Sequence, residues 1–255
     1  MVVMFDPGHG GSDPGAVANG LLEKDVALTV SLAAMKVLVH KGWRVLLTRA
    51  SDESLTIQQR WRRANKCMPD LFVSVHVNAG GGSGSEAFFF DGDKRSEDSK
   101  LLSELVSASI AELAGFPDRG AKADTRTAVG SLGVLRRSVM TASLVELAFI
   151  DAPAFAPDVE LLRYRCGLFA HGLAVGVIRF AEVAKKGGDL MRFNSLEQIK
   201  ANRSWAFPTV KKLIDRGFIN GGGVGLDLSD DMLRLLVIQD RAGCFDISKL
   251  MRDAI

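Results

Sequence analysis

Short apolar runs alternate with stretches of helical periodicity along the first two thirds of the chain. No other feature of the sequence constrains the fold as much. Met1–Phe5, Trp43–Thr48, Leu71–Val77, "EAFFF" from Glu86, and Ala142–Ile150 are short and apolar, as buried strands are. Between them lie Glu23–His40, Thr56–Lys66 and Ser96–Leu113. In the first of these, Leu28, Leu32, Met35 and Val39 recur every three or four residues, and Gly42 supplies a stop. Pro157 begins a longer helical stretch that runs to about Ala184. Its apolar stripe is Val159, Leu162, Cys166, Phe169, Leu173, Val177 and Phe180. This alternation predicts an α/β domain with a mostly parallel sheet and helices on both faces. Arg119–Ser138, Gly-rich and polar, predicts short strands at most, and "GGGSGS" (Gly80–Ser85) a flexible turn.

"KKGGD" interrupts the pattern, so residues 1–184 form the main domain, 185–192 a linker and 193–255 a small all-helical unit. In that unit Pro208–Arg216 predicts one helix, Ser229 caps another over Asp230–Ala242, and Phe245–Ala254 is a candidate third. A unit this small is marginal alone, so the expectation is that it pairs with a second copy of itself or packs on the main domain. The formal charge of +2 gives no broad basic face and argues against nucleic acid as a partner. Cys67, Cys166 and Cys244 are odd in number and widely spaced, which predicts buried free thiols rather than a disulfide framework. The start "MVVMFDPGHG" has no basic leader, and no run reaches ~18 uninterrupted apolar residues. The expectation is a chain made in the cytoplasm without a signal peptide and without membrane insertion.

His9 sits in "DPGHGGSDPG", directly after the first strand. Glu23 opens the first helix, and His76 ends the third strand in "SVHVN". In an open parallel sheet the loops at the carboxyl ends of the strands share one edge, where ligands bind. His9, Glu23 and His76 are therefore expected to meet there as a His₂Glu metal site of the hydrolytic zinc kind, one position open for water. Glu146, an acid inside the apolar "SLVELAF", is the candidate general base. Each residue also has a structural reading. His9 can cap a turn, His76 can be a hydrogen-bonded core histidine, Glu23 can favour a helix N-terminus, and Glu146 can pair with Arg119 or Arg136. No HExxH is present to decide between them.

Taken together and in order, several motifs resemble the zinc-dependent N-acetylmuramoyl-L-alanine amidases. They are "DPGHGGSDPGA", "LLEKDVAL", "LTR", "RWRRAN", "DLFVSVHVNA" and "LVELAFI", and the resemblance runs from residue 1 to about 182. It implies a six-stranded α/β fold and peptidoglycan as substrate, cut at the amide between N-acetylmuramic acid and the first L-alanine of the stem peptide. It further implies Zn2+ held by His9, Glu23 and His76, with Glu146 as catalytic acid/base. Asn78 and Arg136 are weaker candidates for substrate contacts. Ala148 stands where the family usually has Gly.

The segment from Asn202 to Gly243 faintly resembles the S-layer-homology type of wall module, with Trp205 as a candidate saccharide platform or part of the unit's own core. An amidase with a small C-terminal binder of a cell-wall polymer looks like a phage endolysin, which acts on the wall after release. A bacterial autolysin or spore-lysis amidase, a catalytically silent wall-binding protein, and a zinc peptidase acting on ordinary peptides are the alternatives.

Overall fold

The computed structural model describes residues 1–127, 130–188, 192–193 and 195–216, together with 219, 226, 228, 229, 233, 236 and 237. The elements run β1 (Val2–Pro7), β2 (Val17–Ala18), β3 (Leu21–Leu22), α1 (Glu23–His40), β4 (Arg44–Leu47), α2 (Ile57–Cys67), β5 (Leu71–Asn78) and β6 (Ser85–Phe89). They continue with α3 (Ser96–Ala114), β7 (Asp118–Ala123), α4 (Gly133–Arg136), β8 (Thr141–Phe149), α5 (Pro157–Tyr164) and α6 (Cys166–Gly188). Beyond these lie β9 (Arg192–Phe193), α7 (Leu196–Asn202), α8 (Phe207–Asp215) and β10 (Leu228–Ser229). The chain forms two compact units, Met1–Ala181 and Glu182–Ile255.

The first unit is built on a six-stranded sheet of order β4-β1-β5-β8-β6-β7. Neighbouring strands are parallel except β6 and β8, which are antiparallel. The central strands are apolar on both faces because both are covered. On one face Ala64 of α2 and Val134 and Leu135 of α4 pack with Met4, Phe72, Phe88 and Leu144. On the other, Ser103 of α3 bonds Ser143 at 2.8 Å, one residue along β8 from Leu144 and therefore on the opposite side. α2 starts and stops on local signals. Thr56 caps it in a reciprocal box with Gln59, and Met68 ends it in the left-handed region.

The stretch read as one helix from Pro157 to Ala184 is two, broken at Arg165. Its stripe holds at six of seven positions: Val159, Leu162, Phe169, Leu173, Val177 and Phe180 are buried, while Cys166 is half-buried. α6 also runs on to Gly188, so the predicted linker 185–192 begins as helix. The stretch Cys166–Ala184 is long and apolar enough to cross a membrane, yet half of its most apolar window is buried. It lies close against α3: a Cβ on Gly172 would stand 2.6 Å from the Ile110 Cα, and one on Gly176 2.6 Å from the Val106 Cα.

In the second unit α8 confirms the helix read at Pro208–Arg216. The all-helical expectation is corrected, because β9 and β10 pair antiparallel with Leu228 opposite Phe193. Ser229 lies in β10, and the rest of the expected Asp230–Ala242 and Phe245–Ala254 helices falls almost wholly outside the described residues. Ile199, Ala206, Val210, Leu228, Leu233 and Val237 form the core, and Trp205 packs against it, as its core reading expects. Among the thiols, Cys67 and Cys166 are free as expected, but Cys67 is exposed and Cys166 half-buried; Cys244 lies outside the described residues.

Candidate metal centre

β1 and β5 are parallel neighbours with Pro7 opposite Val75, so the loop leaving β1 starts beside His76. The Gly8 N–H donates to the Val75 carbonyl at 2.9 Å and lays this loop against β5. The β2–β3 hairpin then turns the chain back so that Glu23, first residue of α1, points at the same spot. Glu23 Oε1 lies 3.1 Å from His9 Nε2 and 2.9 Å from His76 Nδ1. The two imidazoles meet edge-on with centroids 5.0 Å apart. Three segments far apart in sequence thus deliver the expected ligands to one point.

The glycines around His9 make room for this. A Cβ on Gly8 would stand 2.4 Å from the His76 ring, and one on Gly15 2.6 Å from Glu23 Oε2 and 2.7 Å from the His9 ring. His9 itself sits at φ 54°, a left-handed conformation that costs a non-glycine residue about 1 kcal/mol or more. Two buried guanidiniums hold it there. Arg60 donates to the carbonyls of Pro7 and His9, both at 2.6 Å, and Arg49 to those of Pro7 at 3.0 Å and Gly8 at 2.8 Å. Arg60 also pairs at 2.8 Å with the fully buried Asp6, which accepts from Thr48 and Ser74 as well. Arg49 is the arginine of "LTR" and Arg60 the first of "RWRRAN". Sequence reasoning noted both motifs but missed their work, which is to hold the backbone that carries a ligand.

Burial pushes the Glu23 carboxyl up, but bonds from both imidazoles outweigh it and hold Glu23 far below the usual carboxylate range. Its oxygens also accept the N–H groups of Val77 at 3.0 Å and Ala16 at 2.8 Å. Burial lowers His9, yet Glu23 and then Asp13 outweigh it and raise the imidazole to about 9. A pocket that stabilises a proton on His9 so strongly is equally one that stabilises a cation. Asp13 Oδ2 lies 2.9 Å from His9 Nδ1, which fixes the tautomer and leaves Nε2 turned toward Glu23.

Glu146 is the Cα partner of His76 in the β5–β8 ladder, so both side chains leave the same face. The residue is half-buried, but its Oε2 is shut off from solvent and has no hydrogen-bond partner. Burial pushes the carboxyl up to about 7, opposed by His76 and reinforced by the carboxylates of Glu23 and Glu86. The alternative reading, an ion pair with Arg119 or Arg136, is not realised. Arg119 pairs with Glu86, and Arg136 is exposed at the end of α4, outside the contacts that hold the cluster.

Asn78 does not present a free amide to the site. Its Nδ2 donates to Glu86 Oε1 at 2.5 Å and its Oδ1 accepts from the Ala79 N–H at 2.9 Å. Glu86, opposite Glu146 on β6, was missed in the sequence, although an acid in "SEAFFF" carries the signal that marked Glu146. The Gly80–Ser85 segment, expected to be a flexible turn, is pinned at several points. Asp151 accepts the N–H groups of Gly80 and Gly81, and buried Asp158 accepts from Ser83 Oγ and the Gly84 N–H.

The donor atoms of His9, Glu23 and His76 all lie within 4.8 Å of one another. Ligand atoms about 2.0–2.1 Å from a tetrahedral ion lie about 3.3 Å from each other. The observed 3.1 and 2.9 Å separations at Glu23 are close to that spacing. Two imidazoles and one carboxylate also suit a borderline divalent ion. The residues present fit a metal.

Residues 3–165 match the family described as N-acetylmuramoyl-L-alanine amidase. The N-acetylmuramoyl-L-alanine amidase CwlM of Bacillus licheniformis is 34% identical over 194 residues, 74% of this chain and 72% of that protein. The endolysin of Bacillus phage SPP1 is 36% identical over 195 residues, 73% of this chain and 68% of that protein. The crystal structure of an N-acetylmuramoyl-L-alanine amidase from Clostridium difficile 630 superposes with a TM-score of 0.64 at 27% identity, covering 71% of this chain and 96% of that one. The matched segment contains β1 and the loop after it, α1, β5 and β8, which bring His9, Glu23, His76 and Glu146 together, and the chain belongs to the N-acetylmuramoyl-L-alanine amidase family.

Proposed function

We propose that the protein is a zinc-dependent peptidoglycan amidase that lyses cell walls as a phage endolysin does. It would be made in the cytoplasm and reach the wall after release. The observation that carries the chemistry is the orphaned Glu146 carboxyl standing beside the His9–Glu23–His76 cluster. Zinc held by these three residues would supply Lewis acidity to the scissile carbonyl and lower the pKa of a water toward ~7. Glu146 takes the proton of the attacking water on its free carboxyl and returns it to the leaving amine of L-alanine. A group near 7 is suited to both halves of that exchange at neutral pH. Asp13 keeps His9 in the tautomer that offers Nε2, and Arg49 and Arg60 keep the loop in register. Similarity to a phage endolysin supports the setting, and the second unit is proposed to bind a wall polymer and raise the local enzyme concentration. Similarity to the Bacillus licheniformis amidase over almost the same length supports a bacterial autolysin as the second reading.

Metal analysis followed by digestion of purified peptidoglycan tests the chemistry. The expected result is bound zinc, new L-alanine amino termini and unshortened glycan strands. Bound zinc with no such termini would overturn it in favour of a silent wall-binding protein. Cleavage within the peptides would indicate a peptidase instead.

A further inference from the structure

Glu86 stands opposite Glu146, and its carboxylate collects an unusual company. Asn78 donates to one oxygen, while Arg119 Nε, at 3.0 Å, and Lys122 Nζ both donate to the other. Arg119 and Lys122 are three residues apart on β7, so in an unbroken strand they would point to opposite faces. The ladder is broken between them. Ser85 pairs with Asp118 and Ala87 with Ala121, so Glu86 alone faces both Arg119 and Gly120. Gly120 takes up the extra residue at φ 74°, and its N–H donates to Asp118 Oδ1 at 2.9 Å. This β-bulge re-phases the strand and brings two cations onto one carboxylate.

The charges do not cancel. Glu86 offers one negative charge, buried to 7% exposure, while the Arg119 and Lys122 side chains remain 38% and 30% exposed. The Arg119 guanidinium lies 5.0 Å above the Phe149 ring, which orients its plane. With Nε bonded to Glu86, the two Nη atoms make no hydrogen bond among the described residues. They form a planar fork, the shape that takes a carboxylate bidentately. A neutral sugar would have no need of this surplus charge, whereas a stem peptide bears free carboxylates.

We propose that Arg119 and Lys122, set by the Gly120 bulge and steadied by Glu86, bind a free carboxylate of the stem peptide beyond its first L-alanine and so hold the scissile amide against Glu146. The inference rests on the amidase reading and names the part of the substrate that sets its specificity. Arg119 and Lys122 act here as positioning residues.

The test uses the full chain loaded with zinc and two muropeptides that differ only in the residue after L-alanine, free acid in one and carboxamide in the other. The wild type is expected to favour the acid at least about tenfold in kcat/KM, the size of one charge-assisted hydrogen bond. Arg119→Gln is expected to raise KM on the acid by about tenfold with kcat nearly kept, and to leave the amide's KM in place. Arg119→Lys should restore part of the loss, and Lys122→Gln should act in the same direction as Arg119→Gln. Zinc content and thermal midpoint, measured on each variant, separate positioning from misfolding. Turnover without discrimination, or equal losses on both substrates, overturns this inference and leaves the amidase reading intact. Failure of the wild type to cut either peptide overturns both.

Discussion

His76 and Glu146 are direct partners across the parallel β5–β8 ladder, an imidazole and a carboxyl side by side toward the carboxyl ends of the two central strands. One belongs to the candidate metal cluster, and the other has a shielded oxygen with no partner. Glu146→Gln keeps the shape and removes the proton acceptor. We expect bound zinc to stay at the wild-type level while turnover falls about 10²–10⁴-fold. Zinc content and release of L-alanine termini, measured on one preparation, check this; near-normal turnover would remove Glu146 from the base role.

The same substitution has a signature in stability. Glu146 titrates near 7 in the fold against 4.5 for an ordinary glutamate, so between these values the folded state binds more protons than the unfolded. This stability is fully present below about pH 4.5 and is lost as pH rises through 7. In metal-free protein Glu146→Gln should therefore gain relative to the wild type from pH 4.5 to pH 8, by at most about 3 kcal/mol. Denaturant midpoints of the two proteins across that range test the sign, and a constant difference would contradict it.

Asp13 touches the metal cluster only through His9 Nδ1. Asp13→Asn should weaken zinc binding about 10–100-fold, with activity recovered at saturating zinc. Chelator competition measures the first effect, and a zinc titration of activity the second.

Arg60 pairs with Asp6, which is fully buried. Arg60→Ala leaves that charge without its cation and releases the carbonyls of Pro7 and His9. A loss of about 3–5 kcal/mol is expected. Urea denaturation reads it directly, and a change under 1 kcal/mol would show that Thr48 and Ser74 suffice for Asp6.

Removal of residues 190–255 takes away most of the second unit. Binding to purified walls should fall well below that of the full chain, while hydrolysis of a small soluble muropeptide stays within about twofold. Co-sedimentation with walls and a soluble-substrate assay, run side by side, distinguish a wall binder from a part the catalytic unit needs to fold.

Element type and the four site candidates were legible because their signals are local. A short apolar run marks β5 and a 3.6-residue period marks α1, and the turn residues around His9 mark a loop after a strand. The rule that parallel strands share a carboxyl edge then places His9 near His76 without any distance. The break at Arg165 was hidden because the apolar stripe continues through it, and the β9–β10 pairing because two-residue strands have no period to read.

The amino-acid order by itself determined the alternation of strands and helices, the glycines that admit the His76 ring, and the identity of the candidate ligands. Tertiary structure alone decided that β6 enters antiparallel between β8 and β7, and that Glu86 therefore faces Glu146. It also decided that Arg119 serves Glu86 rather than Glu146, and that Arg49 and Arg60 hold the His9 loop. The reason is physical. Hydrophobic period and turn chemistry act over a few residues, whereas the partner of a buried charge is chosen by strand order and register. These are set by which distant segments, packed together, bury the most apolar surface and leave the fewest charges alone.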